Sequence, residues 1–487
     1  MNLVIGRAEE KKNIDDILSS SRAELIAVYG RRRVGKTFLI REYCRDKGTY
    51  FELIGQYDTP YKSQLKAFTR SVEKAFPGIP VRHPENWKEA FQILTYLIKQ
   101  APKTQPVIIF LDEFPWLASR RSGALQALDH EWNSEWSQIG NLKVIVCGSA
   151  ASWMLEKLIF AKGGLHNRLT DTMHLRSLSL GESQYYLKMK GVRLSSMQLL
   201  ELYMVIGGVP FYLDLVKKGQ SSSQIVNELC FQPNKLLFSE FENIFRSLFE
   251  NAEIHIKIIR EIAKNNNGLR RQELLEKLKI KSGGHLNKKI NELKASGFID
   301  TFIPFGNKRK DYTLRIIDEY VLFYLQWIEP MKTQIRYTGH DFWLSILNTP
   351  KYNTWSGLAF EAVCLKHIRQ IAKSLEIDRV ICGTGRWQHR PTKGSRETGA
   401  QIDLLLDRVD NTINLCEVKF SQKPYTIDKQ TAKNLGCKRT IFEKYGANSK
   451  QVFITFITTK GLKNNEYSMD LIDSQVVLED LFLHANG

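Results

Sequence analysis

Gly30-Arg31-Arg32-Arg33-Val34-Gly35-Lys36-Thr37 follows the pattern GxxxxGK[ST] without a gap. It comes directly after the apolar run Leu25-Ile26-Ala27-Val28-Tyr29 and opens a helical stretch from Phe38 to Cys44. A buried strand, a glycine-rich turn and a helix N-terminus in that order make a phosphate cradle. Glycines let main-chain N–H groups turn inward, and the helix end adds positive potential. Lys36 can then bridge β- and γ-oxygens of a nucleoside triphosphate while the Thr37 hydroxyl binds Mg2+. The expected nucleotide contacts are Gly30, Arg31, Arg32, Arg33, Val34, Gly35, Lys36, Thr37 and Phe38, and the implied cofactors are ATP and Mg2+.

Two further β-rich runs, Val107-Ile108-Ile109-Phe110-Leu111 and Val144-Ile145-Val146-Cys147, read as buried parallel strands with helical stretches between them. The expected fold class is therefore α/β, with a doubly wound P-loop core over residues 1–164. Asp112 ends the first of these runs, where a carboxylate can hold Mg2+, and Glu113 beside it can polarise the attacking water. From 165 to 249 the β-runs give way to helical spacing, as in an appended helical lid. Residues 250–330 show three helical patterns, then Phe298–Ile303 and Tyr312–Ile316 flanking a basic turn, the order of a winged helix-turn-helix. Residues 331–487 read as linker helices followed by a second α/β unit.

The 487 residues suggest several domains, and 43% apolar content is enough to fill their cores. The longest apolar runs are far too short to span a bilayer, and the charged N-terminal stretch offers no signal core, so a cytoplasmic protein without membrane contact is expected. Seven scattered cysteines without a CxxC pair argue for reduced thiols and against a structural zinc site. A formal charge of +18 makes nucleic acid the natural polyanionic partner.

Ile5-Gly6-Arg7-Ala8-Glu9-Glu10, Tyr29 to Thr37, Leu111-Asp112-Glu113-Phe114, Cys147-Gly148-Ser149-Ala150 and Gly207-Gly208-Val209-Pro210 together carry a likeness. Over its first half the chain resembles the AAA+/STAND-type prokaryotic ATPases abundant in archaea. The resemblance implies ATP hydrolysis and homo-oligomers. It implies that Ser149 stands at the sensor position reading the γ-phosphate, where such proteins usually carry Asn. It also implies that Arg168 acts as an arginine finger, often supplied by a neighbouring subunit, and that the Gly207–Pro210 turn follows nucleotide state.

Residues 253–318 carry 15 Lys/Arg against 8 Asp/Glu. Asn287, Lys288, Lys289 and Lys294 flank the apolar stripe Leu286/Ile290/Leu293 of the third helical pattern. Lys308, Arg309 and Lys310 crown the wing. These seven are the expected DNA contacts, although winged helices also serve as protein-docking or spacer modules.

In the last quarter, period two turns Asp403 away from Ile402, Leu404 and Leu406, and sets Glu417 and Lys419 on one face of the run Ile413–Phe420. Upstream, Glu361 falls against the apolar stripe of its own helix, costly for a carboxylate unless it binds a cation or pairs with one. A helical Glu, then Asp, then ExK resembles the PD-(D/E)XK nuclease superfamily, with Ile402 where that family often has Pro. The resemblance implies Mg2+ on Asp403 and Glu417, Glu361 completing the acidic cluster, Lys419 orienting the attacking water, and Gln430 as an auxiliary contact. The combined expectation is an ATPase acting on DNA, coupled to a Mg2+-dependent nuclease domain. The alternative is a nucleotide-dependent switch or scaffold whose nuclease-like domain binds without cutting.

Overall fold

The computed structural model describes all residues except 1–3, 120, 160–166, 250, 266–267, 281–283, 307–311, 339–341, 348, 390, 392–397, 448 and 484–487. The chain divides into two compact units. One comprises Met1–Ser177, Ser247–Glu250 and Asn287–Gly297; the other comprises Leu178–Arg246, Asn251–Leu286 and Phe298–Gly487.

The first unit is built on five parallel strands: β1 (Glu24–Tyr29), β2 (Thr49–Ile54), β3 (Val107–Asp112), β4 (Leu142–Gly148) and β5 (Asp171–His174). Their spatial order is β2-β3-β4-β1-β5. The unbroken apolar runs of β1, β3 and β4 are explained by burial on both faces. Leu25, Ala27, Ile109, Leu111, Val144 and Val146 pack on one side with Phe68 and Phe91 from helices Tyr61–Ala75 and Trp87–Gln100. The alternate residues Ile26, Val28, Ile108, Phe110 and Ile145 pack on the other with Ile14, Ile17, Leu39 and Ile40. Each such side chain contributes roughly 1.5–3 kcal/mol of transfer free energy. The strand order puts β4 between β1 and β3, so the segments leaving all three meet at one carboxyl edge, where open α/β sheets bind ligands.

Residues 165–249 are not wholly helical, contrary to the expectation from spacing. β5 pairs with β1 through Ile26 to Tyr29 and completes the sheet. It escaped notice because Asp-Thr-Met-His is short, polar and on an edge, where one face needs no apolar residue.

In the second unit, helices Leu180–Met189, Ser196–Ile206 and Ser222–Cys230 fall in the segment expected as a helical lid. Serines at 179, 195 and 221 cap all three N-termini. The region expected as a winged helix contains helices Ala252–Ala263, Arg271–Leu278 and Gly284–Ala295. Strands β6 (Leu269–Arg270), β7 (Ile299–Phe302) and β8 (Thr313–Ile316) follow the order β6-β8-β7, antiparallel throughout. The C-terminal sheet has the order β13-β12-β11-β10-β9, from β9 (Ile381–His389), β10 (Ala400–Arg408), β11 (Thr412–Lys419), β12 (Gln451–Thr458) and β13 (Ser474–Val476). Asn411, with φ of 62°, turns β10 back on β11 as an antiparallel pair. Helix Lys429–Tyr445 carries the chain from β11 to its parallel neighbour β12. Among the described residues no helix is long and apolar enough to cross a membrane.

Candidate functional site

The P-loop leaves β1 at Gly30 and enters helix Lys36–Cys44 through Gly35, whose φ is 90°. A Cβ built on Gly35 would meet nothing within 4 Å, so the space beside the loop is open there. Lys36 is buried, and its Nζ donates to the carbonyls of Gly30 at 3.0 Å and Arg31 at 2.9 Å. Burial lowers its pKa, offset in part by Cys147, Glu113 and Asp112. The Thr37 hydroxyl donates to Asp112 Oδ2 at 2.7 Å, and Asp112 Oδ1 accepts the Glu113 N–H at 3.0 Å. Burial, with Glu113 adding, raises the Asp112 pKa against the pull of Thr37. A cationic ligand at this carboxylate would reverse that balance.

Glu113 lies just beyond β3 with φ of 47° and ψ of 43°, the left-handed region. There its carboxylate reaches the end of β4: Oε2 accepts the Ser149 N–H at 3.0 Å and Oε1 accepts the Ser149 hydroxyl. The neighbouring positions of β3 and β4 in the sheet make this contact possible. Thr37, Asp112, Glu113, Ser149 and Lys36 are thus brought together. Hard oxygen donors, a buried ammonium and an open loop fit a Mg2+–nucleoside triphosphate, with Thr37 and Asp112 as the residues that would hold the ion. Phe38 points outward and is 43% exposed. Arg168 is exposed just ahead of β5.

One residue of this site was missed in sequence. Arg7, also in the left-handed region with φ of 61°, is buried; its guanidinium donates to Val34 O at 3.0 Å and pairs with Glu10 at 3.2 Å. It braces the loop from a position 27 residues away. Ile5-Gly6-Arg7 was visible as a motif, but no spacing rule connects it to Val34.

Asn287 and Lys288 are exposed, and Lys288 pairs with Glu156 at 3.5 Å within the first unit. Lys289 is half-buried against Glu292 at 2.9 Å, and Lys294 is half-buried. Lys308, Arg309 and Lys310 lie outside the described residues.

The second constellation gathers Glu361, Asp403, Glu417 and Lys419. The register Leu404↔Cys416 makes Asp403 and Glu417 direct neighbours across β10 and β11, both buried. Glu361, on helix Pro350–Lys366, is ion-paired to Arg386 of β9, whose Nε also donates to the Asp403 main-chain oxygen at 2.9 Å. Glu417 accepts from Lys419 at 2.9 Å and from Lys438 of helix Lys429–Tyr445 at 2.6 Å. Among the described residues no hydrogen bond or ion pair reaches the Asp403 carboxylate. Burial and the charge of Glu417 raise its pKa. Burial also pushes Glu417 upward, but Lys438 and Lys419 outweigh it and hold that carboxyl below its usual range. Burial and Asp403 raise Glu361 despite Arg386. Arg315 of β8 feels the same cluster: burial, with Arg386 adding, brings its pKa down to about 9. Among the described residues no three His, Cys, Asp or Glu side chains lie close enough to hold one metal ion. The oxygen donors that suit Mg2+ reduce here to Asp403 and Glu417. Gln430 is turned along its own helix toward Asn434 at 3.0 Å. Sequence reasoning missed Arg386 and Lys438, since neither belongs to a short motif.

Residues 5–216 match the family described as an ATPase domain predominantly from Archaea. Residues 324–435 match one described as archaeal and bacterial proteins of unknown function. An uncharacterized protein of Methanocaldococcus jannaschii is 26% identical over 426 residues, covering 86% of this chain and 88% of that one. An uncharacterized ATP-binding protein of the same organism is 40% identical over 45 residues, 9% of this chain and 76% of the relative. Among solved structures, the Walker-type ATPase of Pyrococcus abyssi aligns with a TM-score of 0.51 at 18% identity, covering 66% of this chain and 96% of that one. That similarity speaks to fold alone. Strand order, P-loop and the match over residues 5–216 agree on a P-loop ATPase domain in that part of the chain.

Proposed function

We propose that the chain is an ATP phosphohydrolase of AAA+/STAND type that acts on DNA and couples nucleotide turnover to a Mg2+-dependent PD-(D/E)XK-type nuclease domain. The observation that carries the ATPase half is the convergence of Lys36, Thr37, Asp112, Glu113 and Ser149 at one edge of the parallel sheet. Bound Mg2+ would neutralise charge on the β- and γ-oxygens. Lys36 exchanges the Gly30 and Arg31 carbonyls for phosphate oxygens. Ser149 turns its hydroxyl to the γ-phosphate, which frees Glu113 to orient and deprotonate the attacking water. Arg168, exposed on the surface, is available to a neighbouring copy in a homo-oligomer. The charge of +18 and the basic third helix of the winged-helix region support DNA as the partner.

Two comparisons test the two halves. Lys36→Ala should abolish ATP turnover; a wild-type rate in that variant contradicts the P-loop mechanism. Plasmid incubated with Mg2+, with and without ATP, should be cut by the wild type and not by Asp403→Ala. Cleavage by both proteins, or by neither, removes the nuclease half. The ion-pairing of Glu361 and Glu417 favours the second reading in that event: a nucleotide-dependent switch or scaffold that binds DNA or a protein without cutting.

A further inference from the structure

The acidic cluster of the C-terminal domain is closed by its own cations. Arg386 covers Glu361, and Lys419 and Lys438 take one oxygen each of Glu417. Lys419 belongs to the ExK motif, but Arg386 and Lys438 come from β9 and from helix Lys429–Tyr445, outside it. Their side chains are largely buried, with relative exposures of 13% and 23%, so these are not solvated surface pairs. Asp403 sits among them with a buried carboxylate that no described side chain pairs. A dication entering between Asp403 and Glu417 would meet the ammonium of Lys438 at the oxygen it must take, and like charges at that distance repel strongly in a buried site. A phosphodiester brings the opposite charge. It offers Arg386 a bidentate acceptor and Lys438 a monodentate one, replacing what each loses in leaving its carboxylate.

We infer that Arg386 and Lys438 are internal counter-ions that hold the carboxylates against metal in the free protein, and that DNA phosphate draws them off, so that a divalent cation binds this site more tightly once DNA is present. The inference rests on the nuclease reading and adds to it the order of assembly. Here Arg386 and Lys438 are positioning residues: they govern when Asp403, Glu417 and Glu361 become available.

Mn2+ binding to the full chain, followed by electron paramagnetic resonance without nucleotide, tests this apart from cleavage. The C-terminal site is the part of the signal lost in Asp403→Asn. In the wild type, a short phosphorothioate duplex should strengthen that component about tenfold or more, the scale of one displaced charge-assisted hydrogen bond. Lys438→Met and Arg386→Met should raise DNA-free Mn2+ affinity by a similar factor and shrink the effect of DNA, whereas Lys438→Arg should behave as the wild type. If the wild type binds Mn2+ at this site equally well with and without the duplex, the counter-ion inference is overturned while the nuclease reading stands. If no component depends on Asp403 under any condition, both fall. Unchanged circular dichroism of Asp403→Asn establishes that the signal it loses belongs to the site and not to the fold.

Discussion

His367 should make the second unit acid-labile, through a single hydrogen-bonded ring. It is fully buried, its Nδ1–H donates to Val363 O at 2.8 Å, and its Nε2 accepts the Leu180 N–H at 3.0 Å. Leu180 opens helix Leu180–Met189, so the ring satisfies one of the N–H groups that a helix start leaves unpaired. A proton on Nε2 would turn that acceptor into a second donor facing a donor. Burial is the larger cause, and it brings the pKa from 6.5 to about 4, with Lys366 adding and Val363 opposing. The folded state therefore resists a proton that the unfolded chain accepts. The unfolded state binds more protons between pH 6.5 and about 4, so stability is intact above 6.5 and falls as pH drops through that window. At about 1.4 kcal/mol per pKa unit, the whole loss is about 3 kcal/mol. Amide exchange in the peptide spanning Leu180–Met189, corrected for intrinsic rates, reads this directly. The opening free energy should drop by that amount from neutral pH to pH 4 in the wild type. In His367→Gln, whose amide can mimic both hydrogen bonds without titrating, the drop should largely vanish. Equal pH slopes in the two proteins would refute the assignment of the ring as the acid-sensitive group.

Glu113→Gln should keep nucleotide affinity in a fluorescent-ATP titration but slow single-turnover hydrolysis by about 100-fold or more, the usual contribution of a positioned base. Hydrolysis within a few-fold of wild type would remove Glu113 from that role. Gly207→Ala asks for a Cβ at φ of 61° and 2.6 Å from Glu319 Oε2. It should cost about 1–3 kcal/mol in thermal or urea unfolding, and an unchanged midpoint would show that Glu319 moves aside freely.

What the sequence disclosed, and what it hid, follows from how far apart the interacting residues lie along the chain. The P-loop, Asp112-Glu113 and the Asp403/Glu417/Lys419 pattern are legible because each falls on one loop, one strand end or two strands adjacent in sequence. The continuous burial of β1, β3 and β4 is legible because both faces of a parallel sheet need apolar residues. β5 is hidden because an edge strand of four residues has no such need. Arg7 against Val34, Arg386 against Glu361 and Lys438 against Glu417 are hidden for another reason. Each is an ion pair or hydrogen bond closed only by the tertiary fold, and a lone Arg or Lys in sequence is most often a solvated one. The same fact alters the meaning of Glu361. A carboxylate on an apolar stripe signals a cation, but the sequence alone does not distinguish a metal from a guanidinium.

The second unit also contains a physical route by which the lid and the acidic cluster can influence each other. Gly207 ends helix Ser196–Ile206, and Glu319 stands against it. The same carboxylate accepts Lys366 Nζ at 2.6 Å. Lys366 closes the helix Pro350–Lys366, on which Glu361 lies five residues earlier, between one and two turns away. His367, the next residue, holds the first N–H of helix Leu180–Met189. A displacement of helices Leu180–Met189 and Ser196–Ile206 would therefore act on one short segment, Lys366-His367, at the end of the helix that presents Glu361 to Arg386. A coupling of this kind predicts reciprocity: whatever loosens Arg386 from Glu361 must also bias the lid. Arg386→Met should then speed amide exchange in the peptide spanning Leu180–Met189, and unchanged exchange would leave the Lys366-His367 segment as a structural joint alone.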